Sequence, residues 1–273
     1  MTMIKPVKKY IKTIFMMSAA LFISACTPQS DRLYSDAYSE IEKGHFRLAL
    51  DLLERSAQQA SNNKKKTKAL VEAARIARFE IQDYNRALRI NREIVLKSED
   101  SKQRLNAQEA LAEIYLENLQ NYNQALGELM ILEQLVPDLL HKEKLRLKIA
   151  QAQFFTGNPK STLEYIDASI KTASLEKKNF LKLKAQAFIS MKRFDESLSV
   201  YEELRTLDAN FFEKENLYVA TSIAYEEKED YAAALSYLEK YKDLIKDKSY
   251  LELRTKRLKE RLANKPLFKG RRK

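Results

Sequence analysis

The chain has one cysteine, no tryptophan, two histidines, four glycines and five prolines in 273 residues. A single cysteine excludes an intramolecular disulfide framework. His45 and His141 stand far apart in sequence with no Cys/Asp constellation beside them, so no metal site is expected. Gly44, Gly127, Gly157 and Gly270 are isolated, which excludes a glycine-rich phosphate cradle. There is no G-x-S-x-G, Walker-type loop or H-E-x-x-H, and the sequence assigns no catalytic residue and no cofactor. No long stretch alternates strictly between apolar and polar residues, which argues against a sheet. What is abundant is Ala, Leu, Lys and Glu, and with Gly and Pro scarce that composition favours helices. Hydrophobic residues make up 45% of the chain, enough to exclude global disorder.

The formal net charge of +11 is not spread over the chain. Residues 1–25 carry +4 through Lys5, Lys8, Lys9 and Lys12, and residues 254–273 carry +9, with ten Lys/Arg against Glu260. The body between them is close to neutral at −2. A basic face running across the fold is therefore not expected, and nor is a nucleic-acid partner.

The N-terminus reads MTMIKPVKKYIKTIFMMSAALFISAC. A basic segment is followed by an apolar run of 13 residues, Thr13 to Ala25, too short to span a bilayer and suited to the core of a signal peptide. The run ends in Ile23-Ser24-Ala25-Cys26, which resembles a bacterial lipobox. The resemblance implies a signal peptide over residues 1–25 and lipid attachment at Cys26. Several acyl chains together hold a protein stably to a membrane, where one alone is marginal. Thr27, in place of the aspartate that marks inner-membrane retention in such lipoproteins, implies the outer membrane, with the chain facing the periplasm. Residues 26–32 are expected to be the lipidated terminus and its linker; the six residues after Cys26 reach at most ~20 Å.

One short string recurs six times: HFRLAL at 45–50, DYNRAL at 83–88, NYNQAL at 121–126, NPKSTL at 158–163, RFDESL at 193–198 and DYAAAL at 230–235. Its second residue is aromatic in five copies (Phe46, Tyr84, Tyr122, Phe194, Tyr231) and Pro159 in the other. A small residue follows three places on (Ala49, Ala87, Ala125, Thr162, Ser197, Ala234), then always leucine. The copies are spaced by 38, 38, 37, 35 and 37 residues. Steps of four and seven from the small residue give Leu53/Ser56, Asn91/Ile94, Leu129/Leu132, Ile166/Ser169, Tyr201/Leu204 and Leu238/Tyr241, a helical stripe interrupted at Asn91. The segments before each string are also helical in period, so each repeat is expected to be helix A, a tight turn, then helix B.

This pattern resembles the tetratricopeptide repeat. The fifth repeat matches best, through Leu181, Ala185, Phe188, Phe194, Ser197, Tyr201 and Leu204. The sixth follows, through Ser222, Tyr225, Tyr231, Ala234, Leu238 and Tyr241, and the third carries one extra residue before its turn. The resemblance implies an all-α, right-handed α-solenoid of about six helix–turn–helix repeats. The array is expected over residues 33–247, a capping helix over 248–264 with Leu251, Leu258 and Leu262 on one side, and a basic tail over 265–273.

Such arrays hold peptides or proteins on the face lined by their A helices. The corresponding residues here are Gln151, Phe154 and Phe155 in the fourth repeat, Lys182, Gln186 and Ile189 in the fifth, and Asn216, Val219 and Ile223 in the sixth. The function that follows is a membrane-anchored periplasmic scaffold or adaptor for protein or peptide partners in a cell-envelope complex, similar in plan to outer-membrane assembly and pilotin lipoproteins. The alternative is a structural envelope protein whose basic C-terminus bridges the membrane and the cell wall through anionic lipid or wall polymer.

Overall fold

Local chemistry punctuates every repeat in the same way. The computed structural model describes residues 28–264, so Cys26 with its lipobox and the basic tail 265–273 lie outside the described residues. Among the described residues the chain is helical with no strand. The first five helices are α1 (Gln29–Glu42), α2 (Phe46–Gln58), α3 (Asn63–Arg75), α4 (Tyr84–Lys97) and α5 (Ser101–Glu113). Next come α6 (Tyr122–Leu135), α7 (Leu139–Phe155), α8 (Pro159–Ile170), α9 (Lys177–Ser190) and α10 (Phe194–Leu207). A short α11 (Ala209–Lys214) precedes α12 (Leu217–Glu227), α13 (Tyr231–Lys240) and α14 (Lys248–Ala263). The A helices are α1, α3, α5, α7, α9 and α12, and each runs on to its B helix.

Every B helix begins at the second residue of the recurring string, and the first residue is its N-cap. The side chains of Asp83, Asn121, Asn158 and Asp230 accept hydrogen bonds from the N–H groups of Arg86, Gln124, Ser161 and Ala233. Those are donors that a helix start leaves without an internal partner. Pro159, the departure from the aromatic pattern, sits at the first helical position, where its fixed φ and missing N–H suit the helix.

The residue before each string is left-handed: Gly44 (φ 76°), Gln82 (59°), Gln120 (51°), Gly157 (82°), Lys192 (59°) and Glu229 (63°). A left-handed residue reverses the chain after a helix and lets the next N–H cap it. In repeats one, five and six that N–H reaches back five residues: His45 to the Glu40 carbonyl, Arg193 to Phe188, and Asp230 to Tyr225. In repeats two and three it reaches back six, Asp83 to Ala77 and Asn121 to Tyr115. A π-helical turn at the end of helix A, Ile76–Glu80 or Ile114–Asn118, absorbs the extra residue. Turn and cap therefore survive the longer spacing.

The small residue of every string is wholly buried, at 0% exposure, as close packing of the paired helices requires. The expected interruption at Asn91 does not break the stripe: the residue is buried, and its Nδ2 donates to the Ala87 carbonyl at 2.9 Å. The expected linker is shorter than the sequence suggested, because Gln29–Arg32 already belong to α1. Ser30 is buried there and its carbonyl accepts from Ser56 Oγ at 2.7 Å, while Asp31 pairs with Lys65 at 2.7 Å.

The described residues divide into two compact units, the first ending at Ile114 and the second beginning at Tyr115. In the first, consecutive helices from α1 to α5 pack on one another, and the A helices α3 and α5 also touch. In the second, α6 to α10 pack in succession, α7 touches α9, and α10 packs on both α11 and α12. Phe212 of α11 is fully buried, edge-on to Tyr201 (6.3 Å between centroids) and Tyr218 (4.9 Å). Helix α14 packs on α13 and buries Leu258 completely, while Leu262 remains exposed. Arg254 and Arg261 of α14 both pair with Glu226 of α12, which ties the last helix to the last A helix. A lone hairpin cannot bury its apolar stripe, so in each unit stability comes from the stacking.

Candidate functional site

On the first unit, α1, α3 and α5 present tyrosines, amides and alanines to a common groove. Tyr34 and Tyr38 of α1 are four residues apart and so share a face. Their ring centroids lie 4.9 Å apart and their hydroxyls share a hydrogen bond at 3.0 Å. That bond, followed by burial, pushes the Tyr38 hydroxyl up to about 12, so it stays neutral across the physiological range. Lys68 of α3 places its ammonium 4.5 Å from the Tyr34 ring centroid, a cation–π distance.

These residues line a cleft of about 630 Å³ together with Thr67, Val71 and Gln103. A smaller cleft of about 170 Å³ shares Val71 and Gln103 with it and continues past Ala74, Ala107 and Ala110 to Ile94, Asn91 and Phe79. Alanines make the floor, and Phe79, 59% exposed, stands at the rim. Phe79 belongs to the π-helical turn, the place where repeat two accommodates its extra residue. Beside it Arg78 is buried, paired with Glu113 at 2.9 Å, its guanidinium 4.8 Å from the Phe79 ring centroid.

The groove charges are mostly neutralised from within: Arg75 is held by Glu72 and Glu80, and Arg78 by Glu113. Gln103 and Asn106, three residues apart on α5, have side-chain amides with no partner among the described residues. A free amide offers one acceptor and two donors, the complement of a peptide main chain. An apolar floor flanked by such amides can take an extended segment, with the floor receiving a side chain.

The A-helix residues expected from the sequence fall on the second unit. Phe154, Ile189 and Ile223 pack against its hydrophobic core, and Val219 is buried within it, so Val219 is not on an open face. Lys182 is held by Glu215 at 2.9 Å. Asn216 is exposed in the left-handed position that opens α12 (φ 54°). Phe155 is 55% exposed yet stacked on Tyr122 at 4.8 Å, Gln151 is half-buried and Gln186 is exposed. Sequence reasoning missed the groove of the first unit, for which the available signals were Tyr34/Tyr38 at helical spacing and the alanines Ala74, Ala107 and Ala110.

No protein-family model and no curated protein sequence matches the chain. Solved structures do. A tetratricopeptide repeat protein from Parabacteroides merdae matches with a TM-score of 0.56 at 15% identity, over 87% of this chain and 88% of its own. A signal-transduction ATPase with a tetratricopeptide repeat sensor, from Pyrococcus horikoshii, gives 0.58 at 15% identity, over 85% of this chain and 38% of the ATPase. YrrB, a tetratricopeptide repeat protein with an unusual peptide-binding site, gives 0.50 at 17% identity, over 71% of this chain and 94% of YrrB. At these identities the likeness is one of fold. The chain has the all-α fold of tetratricopeptide repeat proteins.

Proposed function

We propose that the chain is a non-catalytic scaffold, anchored to the outer membrane by lipid on Cys26, whose first-unit groove holds an extended segment of a protein partner in a cell-envelope complex. The observation that carries the binding reading is the pair of joined clefts, with free amides at Gln103 and Asn106 above an alanine floor. These groups are not used to hold the fold together, and their chemistry matches a peptide backbone with one apolar side chain. The peptide-binding site of YrrB, a protein of the same fold, supports the same use of the scaffold.

A photo-crosslinking residue at Val71, between the two clefts, tests this against one at Leu48, which is 50% exposed on α2. The expected result is a discrete protein adduct from Val71 that is absent from Leu48 and lost in the Gln103→Ala/Asn106→Ala background. Equal labelling at both positions, or adducts indifferent to the amides, would refute the groove. The anchor is tested separately: Cys26→Ser should release the chain from the membrane fraction, and unchanged fractionation would overturn it.

A second reading is favoured by the ten Lys/Arg in residues 254–273, a density suited to anionic lipid or wall polymer. Under that reading, deletion of residues 265–273 abolishes salt-sensitive binding to isolated cell wall; binding that survives the deletion rejects it.

A further inference from the structure

Five repeats carry a buried apolar residue one turn after the small residue of the string: Leu53, Leu129, Ile166, Tyr201 and Leu238. The second repeat carries Asn91 there, only 4% exposed. Its Nδ2 donates to the Ala87 carbonyl, and its Oδ1 accepts from no described residue. A buried acceptor left unpaired costs stability that an apolar residue at the same place avoids, so its presence calls for a partner. Asn91 lines the smaller cleft of the groove, and that cleft is where a donor to the oxygen has room.

The cleft measures about 170 Å³, close to the ~150 Å³ that holds one benzene ring in a protein interior. Ala74, Ile94 and Ala107, all buried, form its apolar walls. The exposed Phe79 ring stands at its mouth, where a second ring can pair with it. The space and the acceptor together define the occupant. Phenylalanine fills the space and leaves the oxygen unpaired. Serine and threonine pair with the oxygen and leave the space empty. The fused rings of tryptophan are larger than the space. A lysine would shed its hydration for one neutral acceptor, in a cleft whose only charged lining groups are the guanidiniums of Arg75 and Arg78.

We propose that the smaller cleft is a specificity pocket for tyrosine. A partner segment laid along Gln103 and Asn106 places one tyrosine ring between the alanines and Phe79, and the tyrosine hydroxyl donates to Asn91 Oδ1. The pocket rests on the peptide-binding reading of the groove and names the side chain which that groove selects.

The test uses p-cresol and toluene, the side chains of tyrosine and phenylalanine. Each is titrated into the full chain, methyl-labelled at isoleucine, leucine and alanine, and followed by NMR. The expected result is a saturable shift of the Ile94 and Ala107 methyls, with p-cresol bound roughly tenfold more tightly than toluene because toluene leaves a buried acceptor unpaired. The methyls of Leu129, at the matching place in the third repeat, should not shift. Asn91→Leu installs the residue type of the other repeats, so the variant should fold, and toluene should then bind at least as tightly as p-cresol. Asn91→Ala, which cannot close the cleft, should also erase the preference.

Equal binding of the two rings to the unaltered chain, or tighter binding of toluene, overturns tyrosine selection and leaves the peptide groove standing where Val71 still crosslinks. Tighter binding of 3-methylindole reassigns the pocket to tryptophan. No shift at Ile94 shows a cleft that water keeps. A Val71 adduct whose crosslinked segment lacks tyrosine also overturns the proposal. A failed Val71 crosslink with the p-cresol preference intact refutes the peptide groove instead, and reduces the cleft to a site for small phenols.

Discussion

Replacing Lys192 with glycine should stabilise the protein although it removes most of a side chain. Lys192 sits at φ 59° in the turn between α9 and α10, exposed, with its backbone N–H donating to the Ile189 carbonyl. A left-handed backbone costs an L-residue about 1–2 kcal/mol. Glycine avoids that strain but loses more chain entropy on folding, roughly 0.5–1 kcal/mol. The difference leaves a net gain of about 0.5–1 kcal/mol. Gly44 supplies the mirror experiment. A Cβ built there meets nothing within 4 Å, so Gly44→Ala probes the backbone alone and should cost about the same amount.

Urea unfolding of the full chain, followed by helical circular dichroism, reads both as shifts of the midpoint at constant slope. Lys192→Ala is the control that separates the two ingredients: it loses the side chain but keeps the strain and should be close to neutral. Gln82 and Gln120, at φ 59° and 51°, occupy equivalent turns in other repeats, so the three glycine substitutions should add to about 1.5–3 kcal/mol. A lower midpoint for Lys192→Gly, or an unchanged one for Gly44→Ala, would refute the claim that these turns are held left-handed by the array.

Ser197 Oγ is wholly buried with no hydrogen-bond partner, and Ala49, Ala87, Ala125 and Ala234 fill the same place in other repeats. Ser197→Ala should raise the melting transition by relieving about 1 kcal/mol of unsatisfied polarity, and a destabilised variant would argue against that burial. Arg78→Met removes the Arg78–Glu113 ion pair and should cost about 1–2 kcal/mol, less than for a fully buried pair because Glu113 is 28% exposed; a double-mutant cycle with Glu113→Gln should show coupling. The Glu93 carboxyl is held below its ordinary value by its hydrogen bond from Lys66, and that of Glu202 by Arg205. A depressed folded value means the stabilisation is present above the unfolded value and is lost as pH falls through the folded one, so acidification should lower the urea midpoint. Lys66→Ala should flatten that acid limb, and an unaltered slope would show that the pair does not contribute.

The repeat boundaries were legible in the sequence because short-range chemistry sets them. Asp83, Asn121, Asn158 and Asp230 cap the helices that follow, and the small residue three places into each B helix must be buried, so the strings recur wherever that geometry recurs. Pro159 and Asn91 looked like defects only because side-chain type was read without backbone position. One is a first-turn proline, and the other donates an amide N–H within its own helix. The groove was less legible because it depends on where an extra residue goes. A spacing of 38 announces an insertion, but only the backbone shows that a π-helical turn takes it up and carries Phe79 at the groove rim. Matching the repeat consensus also pointed the wrong way for Val219, since a consensus of packing positions finds core.

That bias explains why the repeats closest to the consensus are poor places to seek a partner. Along α9, the A helix of the repeat that matches best, three lysines are engaged within the fold: Lys178 with Asp208, Lys182 with Glu215 and Lys184 with Asp167. Phe154 and Phe155 are likewise engaged, edge to face with each other, and Phe155 stacks on Tyr122. A partner binding there would first have to break those contacts, and the exchange would return little net free energy. Along the groove of the first unit Gln103, Asn106 and Lys64 have no such partner, and Lys68 meets only a ring face. Their hydrogen-bonding capacity is met by water until a ligand arrives, so binding replaces water without dismantling the stack. The irregular repeats keep their fold through caps and π-helical turns, and their departures from the regular pattern leave side chains available for a ligand.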